Sequence, residues 1–519
     1  MKLQSCFRRA RHLGLFSLII LSIHAAQAGS ATWSSSPVSG DWNTAENWMP
    51  NTVPNGPADT ATFGVSNTTE ISLSSAIEVG SITFAPGASP YTIRTKKRAL
   101  TISGIGITNN SGVTETFAIT GDVSFRNSAS AGTFVELDVS DVSNVSFHDT
   151  SSAGDGIFFL SAGRQSSPSL FFYDNSTAAN GAFTLTPSFS GNALCEFFGH
   201  SSAGNGVFIA GGGRTFSCGV LFFENSTADH ATITAGAGMH GGNGGGVFFG
   251  DDSSGGSARV ILFGHGGITG QSEGNLTTQH DLPGLTIGSL EGNGLVDFTD
   301  PLPINLVIGS NNLSSIFSGV ISDFFGRRKD SLTKIGTGTL TLSGSNSYAG
   351  RTTILQGTIL VANRFGSGVG LGSVAVDGGE LGGTGSILGS TTIGGDTGTA
   401  SFLSPGTDGT GTCTFGQALT FLSSGVYNCE LNSDTATADN VVVPLVTIDS
   451  GALVSLVDLG TATLPTGTVF TVIDNTGGTP IAGQFSNLAD GAIVTVGGNN
   501  FQASYEGGDG NDLTLTVVP

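Results

Sequence analysis

Residues 145–235 repeat with a period of 25 residues, as four successive lines show: VSFHDTSSAGDGIFFLSAGRQSSPS (145–169), LFFYDNSTAANGAFTLTPSFSGNAL (170–194), CEFFGHSSAGNGVFIAGGGRTFSCG (195–219) and VLFFENSTADHATITA (220–235). Phenylalanine recurs at the third position of each line, and the first position, on the same face of a strand, is apolar or cysteine. These columns are Phe147, Phe172, Phe197 and Phe222, and Val145, Leu170, Cys195 and Val220. Such a period without helical spacing predicts a parallel β-solenoid, in which each coil covers the apolar face of the next.

A turn and a second inward column follow in every coil. The column consists of Phe158, Phe183, Phe208 and Ile233. We expect the turn glycines to adopt positive φ and to share the turn with a preceding Asp or Asn. These pairs are Asp155-Gly156, Asn180-Gly181 and Asn205-Gly206. The register changes at both ends, since Phe125 precedes Phe147 by 22 residues and Phe249 follows Phe222 by 27.

The composition agrees with an all-β chain. The 519 residues include 81 Gly and 34 Phe but only 5 Tyr, and 11% are charged. An excess of Phe over Tyr suits a dry interior, because a buried Tyr hydroxyl needs a partner. A net charge of −21 argues against nucleic acid or anionic membranes as partners.

The first 28 residues have the features of a signal peptide. Basic residues at Arg8, Arg9 and Arg11 precede an apolar run from Leu13 to Ile23, and Ala26-Gln27-Ala28 forms a small-residue cleavage site. We expect cleavage after Ala28 and a secreted or cell-surface protein. The apolar run is too short to span a membrane, and no later stretch approaches the required length.

All three tryptophans lie in residues 29–64, at Trp33, Trp42 and Trp48. The open end of a solenoid needs a cap, and we interpret the cluster as that cap. A sugar-stacking platform is the alternative interpretation.

Four cysteines follow the signal peptide. Cys195 and Cys218 lie two residues out of register on adjacent coils, about 8 Å apart, so we expect a buried free thiol at Cys195. For Cys413 and Cys429, a disulfide between neighbouring strands and free thiols are both open.

The stretch from Leu332 to Asn363 reads LTKIGTGTLTLSGSNSYAGRTTILQGTILVAN. It resembles the autotransporter-associated β-strand repeat, also called the passenger-associated transport repeat. The resemblance implies a bacterial, right-handed parallel β-helix outside the cytoplasm, and it transfers no catalytic residue. Complete autotransporters end in a translocating β-barrel of roughly 250 residues, for which the remaining chain is too short. We therefore expect export by the general pathway alone, or a barrel on a separate chain.

The predicted organisation has five parts. They are a signal peptide (1–28), a Trp-rich cap (29–64), a β-helix with coils of about 25 residues (65–330), a repeat region that continues it (331–413) and a C-terminal β-strand region (414–519). Within the last part, we expect a strand from Val441 to Ile448.

A polysaccharide lyase or glycoside hydrolase is the rival to a non-catalytic display scaffold. Such an enzyme needs convergent carboxylates or basic groups on the outer face. Asp149, Asp174 and Glu224 share a column that Gly199 interrupts, which favours a solvated acidic ladder or a weak cation site. Arg164 and Arg214 lie two coils apart, and the histidines fall in three different columns, at His148, His200 and His230. No triad assembles, so we predict no catalytic, cofactor-binding or metal-binding residues.

One motif near the C-terminus invites a calcium interpretation. Glycine and aspartate alternate from Gly507 to Asp512, as in calcium-binding nonapeptide repeats. Because the motif stands alone and lacks the apolar position, we favour a tight hairpin and expect no cofactor. The predicted function is structural or adhesive, toward a polysaccharide, matrix or cell surface.

Overall fold

The computed structural model describes residues 29–264, 273–280, 284–299, 302–323, 329–395 and 398–519. The predicted signal peptide lies outside these residues. Among the described residues, one 3-10 turn (Ala45–Asn47) accompanies the strands. No helix in these ranges is long and apolar enough to cross a membrane.

The strands are, in chain order, β1 (Ala31–Trp33), β2 (Trp48–Met49), β3 (Gly56–Phe63), β4 (Glu70–Ser72), β5 (Ile77–Phe84), β6 (Thr92–Arg94), β7 (Leu100–Asn109), β8 (Glu115–Ile119), β9 (Val123–Phe125), β10 (Val135–Ser140), β11 (Asn144–Phe147), β12 (Ile157–Ser161), β13 (Ser169–Phe172), β14 (Ala182–Thr186), β15 (Leu194–Phe197), β16 (Val207–Ala210), β17 (Gly219–Phe222), β18 (Thr232–Ala235), β19 (Gly246–Asp251), β20 (Arg259–Leu262), β21 (Asn275–His280), β22 (Gly284–Ile287), β23 (Ser289–Gly292), β24 (Leu295–Phe298), β25 (Asn305–Ile308), β26 (Ser315–Phe317), β27 (Val320–Asp323), β28 (Ser331–Lys334), β29 (Thr339–Leu342), β30 (Thr352–Ile354), β31 (Thr358–Val361), β32 (Val374–Val376), β33 (Glu380–Gly383), β34 (Ser386–Ile387), β35 (Thr391–Ile393), β36 (Ser401–Pro405), β37 (Thr412–Phe415), β38 (Leu419–Phe421), β39 (Gly425–Asn432), β40 (Thr437–Ala438), β41 (Asn440–Val443), β42 (Val446–Ile448), β43 (Leu453–Asp458), β44 (Val469–Asn475), β45 (Ile493–Val496), β46 (Asn499–Gly507) and β47 (Asp512–Val518).

The strands form long ladders, as a parallel β-helix requires. Sheet A has the order β2-β1-β3-β5-β7-β9-β11-β13-β15-β17-β19-β21-β24-β27. Sheet B begins β4-β6-β8-β10-β12 and continues through successive coils to β36-β39-β43. Sheet C has the order β22-β25-β28-β30-β32-β35-β38-β42, and sheet D has the order β34-β37-β41-β44-β47-β46-β45. Among the described residues, pairing is parallel except at the ends of the solenoid, in the β39–β40 hairpin and at an isolated antiparallel bridge between Gly383 and Gly406.

The predicted phenylalanine columns are confirmed. The ring centroids of Phe147 and Phe172 lie 4.8 Å apart, those of Phe172 and Phe197 4.6 Å, and those of Phe197 and Phe222 4.8 Å. The Phe158 column stacks in the same way and pairs in register. All of these rings are buried. The coils of irregular length keep this register, because Phe125 pairs with Phe147 and Phe222 with Phe249.

The prediction of positive φ at Gly156, Gly181 and Gly206 is wrong. In these turns, the positive φ values occur two residues earlier, at Gly154, Ala179 and Gly204. The predicted glycines are required by packing instead. A Cβ atom at Gly181 would lie 2.6 Å from Cζ of Phe183, which real structures do not tolerate.

The predicted strand from Val441 to Ile448 is two strands, β41 and β42. Pro444 lies between them, and because proline has no N–H group it cannot continue the ladder. The chain turns there from sheet D to sheet C.

The four cysteines are buried free thiols. Cys195 pairs with Val220 in the ladder, so Cys218 is two residues out of register as expected. Cys413 lies in sheet D and Cys429 in sheet B. Of the two possibilities for this pair, the structure shows free thiols and no disulfide.

Candidate binding groove and the outer ladders

The acidic column is part of the backbone framework. Asp149, Asp174 and Glu224 have φ values of 57°, 56° and 56°. Each carboxylate accepts a backbone N–H from the preceding coil: Asp149 from Asn127 at 2.8 Å, Asp174 from Asp149 at 3.0 Å, and Glu224 from Gly199 at 2.7 Å. The column therefore clamps one coil to the next, and these carboxylate oxygens are already engaged.

A second outer ladder, which the sequence analysis missed, lies beside the acidic column. Its rings are His148, Tyr173, Phe198 and Phe223, with successive centroids 4.9, 5.4 and 5.1 Å apart and interplanar angles of 17°, 17° and 9°. Burial, helped by Arg126, lowers the pKa of His148 below its usual value. Because stacked rings cover each other's faces, they offer mainly edges to a ligand. The 25-residue spacing of Tyr173, Phe198 and Phe223 was the signal that could have revealed this ladder.

The other catalytic candidates do not converge. Arg164, Arg214 and His200 are exposed on turns, and His230 contacts its neighbour Asp229. Within the described residues, no two of these basic side chains lie together beside a pair of carboxylates, as a polysaccharide-cleaving site would need.

The three tryptophans are buried, with Trp33 2% exposed and Trp42 and Trp48 0%. Their indole N–H groups donate to the carbonyl oxygens of Thr68, Pro54 and Trp42. Buried rings with bonded nitrogens cannot stack on a sugar, so the cluster serves as a cap.

The predicted hairpin at Gly507–Asp512 joins β46 to β47, with Gly507 paired to Asp512. Oδ1 of Asp512 accepts the N–H of Asn475 at 2.9 Å, which ties the hairpin to β44. Within the described ranges, no group of three or more His, Cys, Asp or Glu side chains is arranged to hold a metal ion.

A depression lies on the outer face of sheet B, and we call it the sheet B groove. Its volume is about 670 Å³. The floor consists of outward side chains of six strands (β29, β31, β33, β36, β39 and β43), among them Thr358, Asn428 and Ser455. The turn 405–409 contributes to the rim, so the flat strand surface becomes concave here. Strand spacing gives the floor a length of about 24 Å.

The lining of the groove is polar and acidic. It includes the carboxylates of Glu380, Asp408, Glu430 and Asp439 and the hydroxyls of Thr339, Thr358, Ser404, Thr407 and Ser455. Leu360, Val457 and Leu459 add apolar surface. Such a surface offers many hydrogen-bond acceptors and no positive charge.

Asp439 fixes one side of the groove. Its Oδ1 accepts the N–H of Gly411 and its Oδ2 that of Glu430, both at 2.8 Å. Burial raises the pKa of Asp439 to about 6. Because both oxygens hold backbone groups, Asp439 positions the β39–β40 hairpin against the turn after β36.

In the coils that follow β27, buried polar side chains form hydrogen bonds where the backbone turns. Nζ of Lys334 donates to the carbonyl oxygens of Ile335, Gly336 and Gln356 at 2.7, 2.9 and 3.4 Å. Burial lowers the pKa of Lys334 to about 8. The hydroxyl of Tyr348 lies 2.7 Å from that of Thr352.

Asn346 takes the place of a strand beside β27. Its Oδ1 accepts the N–H of Ile321 at 2.7 Å, and its Nδ2 donates to the carbonyl oxygen of Gly368 at 2.6 Å. Residues 332–361, which include these groups, match the passenger-associated-transport-repeat family. The match identifies one such repeat within the chain. In this repeat, the Lys, Asn, Tyr and Thr side chains all satisfy buried groups where the backbone turns, so they maintain the coil.

Comparison with solved structures finds the Haemophilus influenzae Hap adhesin. The two chains are 9% identical, with a TM-score of 0.32, and the match covers 89% of this chain and 64% of the adhesin. The aligned part thus spans less than two thirds of that structure. No curated protein sequence matches the chain.

Proposed function

We propose that this protein is a non-catalytic β-helix, exported to the cell surface or the medium, that binds a polysaccharide in the sheet B groove. The observation that carries the proposal is the groove itself, where the turn 405–409 makes a polar, concave track of about 24 Å across successive coils. That length matches several sugar units. Export is supported by the sequence of residues 1–28 and by the passenger-associated-transport repeat.

The lining favours a particular class of polysaccharide. Hydroxyl groups of a neutral sugar chain can donate to carboxylates such as Glu380 and Glu430, and accept from the amide of Asn428. An anionic polymer would bring like charges together, which is destabilising. We therefore expect neutral or amino sugars to bind better than uronic acids.

The test is binding of the chain from residue 29 to a panel of neutral, amino and acidic polysaccharides. Ser455→Trp places a large side chain on the groove floor, and Thr234→Trp is the matched control, outward on sheet B but away from the groove. We expect Ser455→Trp to abolish binding and the control to retain it. Equal binding by both variants would exclude the groove.

The same mixtures are assayed for released reducing or unsaturated sugar. Binding without product supports the display function. Product that disappears in Glu430→Gln would instead establish the enzyme alternative.

A further inference from the structure

Four consecutive loops form a ridge along one corner of the solenoid. They are residues 162–168, 187–193, 211–218 and 236–245, which connect β12 to β13, β14 to β15, β16 to β17 and β18 to β19. Adjacent loops are hydrogen-bonded: the N–H of Gln165 donates to Oγ of Ser190 at 3.1 Å, and the N–H of Met239 to the carbonyl oxygen of Gly213 at 3.0 Å. We call this surface the loop ridge.

Glycine allows the loops to stack closely. A Cβ atom at Gly212 would lie 2.1 Å from the carbonyl oxygen of Ala237, and one at Gly242 would lie 2.1 Å from that of Arg214. Since the backbones are in contact, the larger side chains extend outward. The ridge is thus a fixed surface.

Large apolar side chains are exposed on the ridge. Phe189 is 69% exposed, Met239 60% and Phe216 43%. Each lies on a different loop, so apolar groups recur along the solenoid axis. Large apolar side chains that recur in this way on a solvent-exposed surface indicate an interaction site.

The charge of the ridge is opposite to that of the chain. The four loops contain no Asp or Glu, although the chain carries 39 acidic residues and a net charge of −21. Apart from the buried thiol of Cys218, their ionisable side chains are Arg164, Arg214 and His240, all exposed. Neither arginine forms an ion pair with another described residue.

We propose that the loop ridge docks on the surface of a lipid bilayer with anionic headgroups. The arginines would pair with the headgroups, while Phe189, Phe216 and Met239 enter the interfacial region. Acidic side chains farther than about 8 Å from the contact are screened at physiological ionic strength, so the net charge does not prevent docking. A second copy fits less well through the same ridge, because a symmetric contact would bring arginines together.

The test is co-sedimentation of the chain from residue 29 with vesicles of phosphatidylcholine alone or with one third phosphatidylglycerol. We expect binding only to the anionic vesicles, and weaker binding at high salt. Each arginine should strengthen binding about fivefold, so the double variant Arg164→Gln/Arg214→Gln should bind about thirtyfold more weakly. Phe189→Ser/Met239→Ser should also lose binding.

A matched control changes the same residue types elsewhere. Arg126 and Ile316 are exposed and lie outside the ridge, so Arg126→Gln/Ile316→Ser should bind like the wild type. Equal binding by wild type and both ridge variants would overturn the proposal. So would ridge-dependent self-association in sedimentation velocity without vesicle binding, since a second copy would then be the partner.

Discussion

At Gly181 a neighbouring side chain, and not the backbone, requires glycine. The aromatic ring two residues later occupies the position of the missing Cβ atom. The equivalent turn position of another coil carries alanine. There, Ala231 precedes the core residue Ile233 by two positions, whereas Gly206 precedes Phe208 by two positions. A smaller side chain in the core therefore allows alanine in the turn.

This relation predicts a coupled pair of substitutions. Gly181→Ala should destabilise the protein by about 2 kcal/mol through overpacking. Combined with Phe183→Ile, it should cost less than the sum of the single changes, by about 1 kcal/mol. Urea unfolding of the wild type, both single variants and the double variant measures the coupling energy. Simple additivity would contradict the packing explanation.

Lys334 is a buried cation whose three hydrogen bonds all go to backbone carbonyls. Lys334→Met should cost about 2–3 kcal/mol, because it leaves these carbonyls without their donor. Lys97→Met, at an exposed turn position, is the control and should change stability by less than about 0.5 kcal/mol. Thermal or urea unfolding at pH 7 compares the two.

The pH dependence of Lys334 has a definite sign. Burial lowers its pKa in the folded state from 10.5 to about 8, so the unfolded chain binds the proton more tightly. Stability contributed by this group therefore rises as the pH increases from about 8 to 10.5. Other groups titrate in this range, so the difference between wild type and Lys334→Met is the relevant quantity. A difference that does not change with pH would contradict the lowered pKa.

Among the elements, β27 shows how one side chain ends a sheet. Sheet A stops at this strand, and the amide of Asn346 satisfies the N–H that the next strand would have bonded. At the end of sheet B, Asn487 has the same role for β43. Its Oδ1 accepts the N–H of Val454, and its Nδ2 donates to the carbonyl oxygen of Val454. Edges protected in this way are less available for pairing with another chain.

Asn346→Ala should therefore expose the end of sheet A. Two buried backbone groups lose their partners, which should destabilise the protein by about 2–4 kcal/mol and accelerate amide exchange at Ile321. Ser345→Ala, an exposed neighbour, is the control. Unchanged exchange at Ile321 would show that another group caps the strand.

At the scale of the whole molecule, the solenoid separates its tasks along one axis. The loop ridge uses coils between residues 162 and 245, whereas the sheet B groove uses strands between 339 and 459. Each coil contacts mainly its neighbours, so a change in one region has little effect on the other. The two proposed surfaces can thus be tested independently.

The sequence alone was sufficient for the inward columns. Phe147, Phe172 and Phe197 recur at a constant spacing, and stacking equal residues buries each ring against a copy of itself. Patterns of this kind are local and periodic, so they can be read without coordinates. The cap and the hairpin at Gly507–Asp512 were also predicted, because tryptophan clusters and Gly-Asp turns have a strong local signal.

Only the tertiary structure decided what the outer surface can do. Whether Asp149 is a free carboxylate or a backbone clamp depends on the N–H of Asn127, which belongs to the preceding coil. The groove exists because a turn and a hairpin far from Thr358 in sequence rise above the same sheet. Periodicity thus determined which residues face inward, since burial requires a repeat, whereas the binding surfaces arise where loops of different coils depart from that repeat.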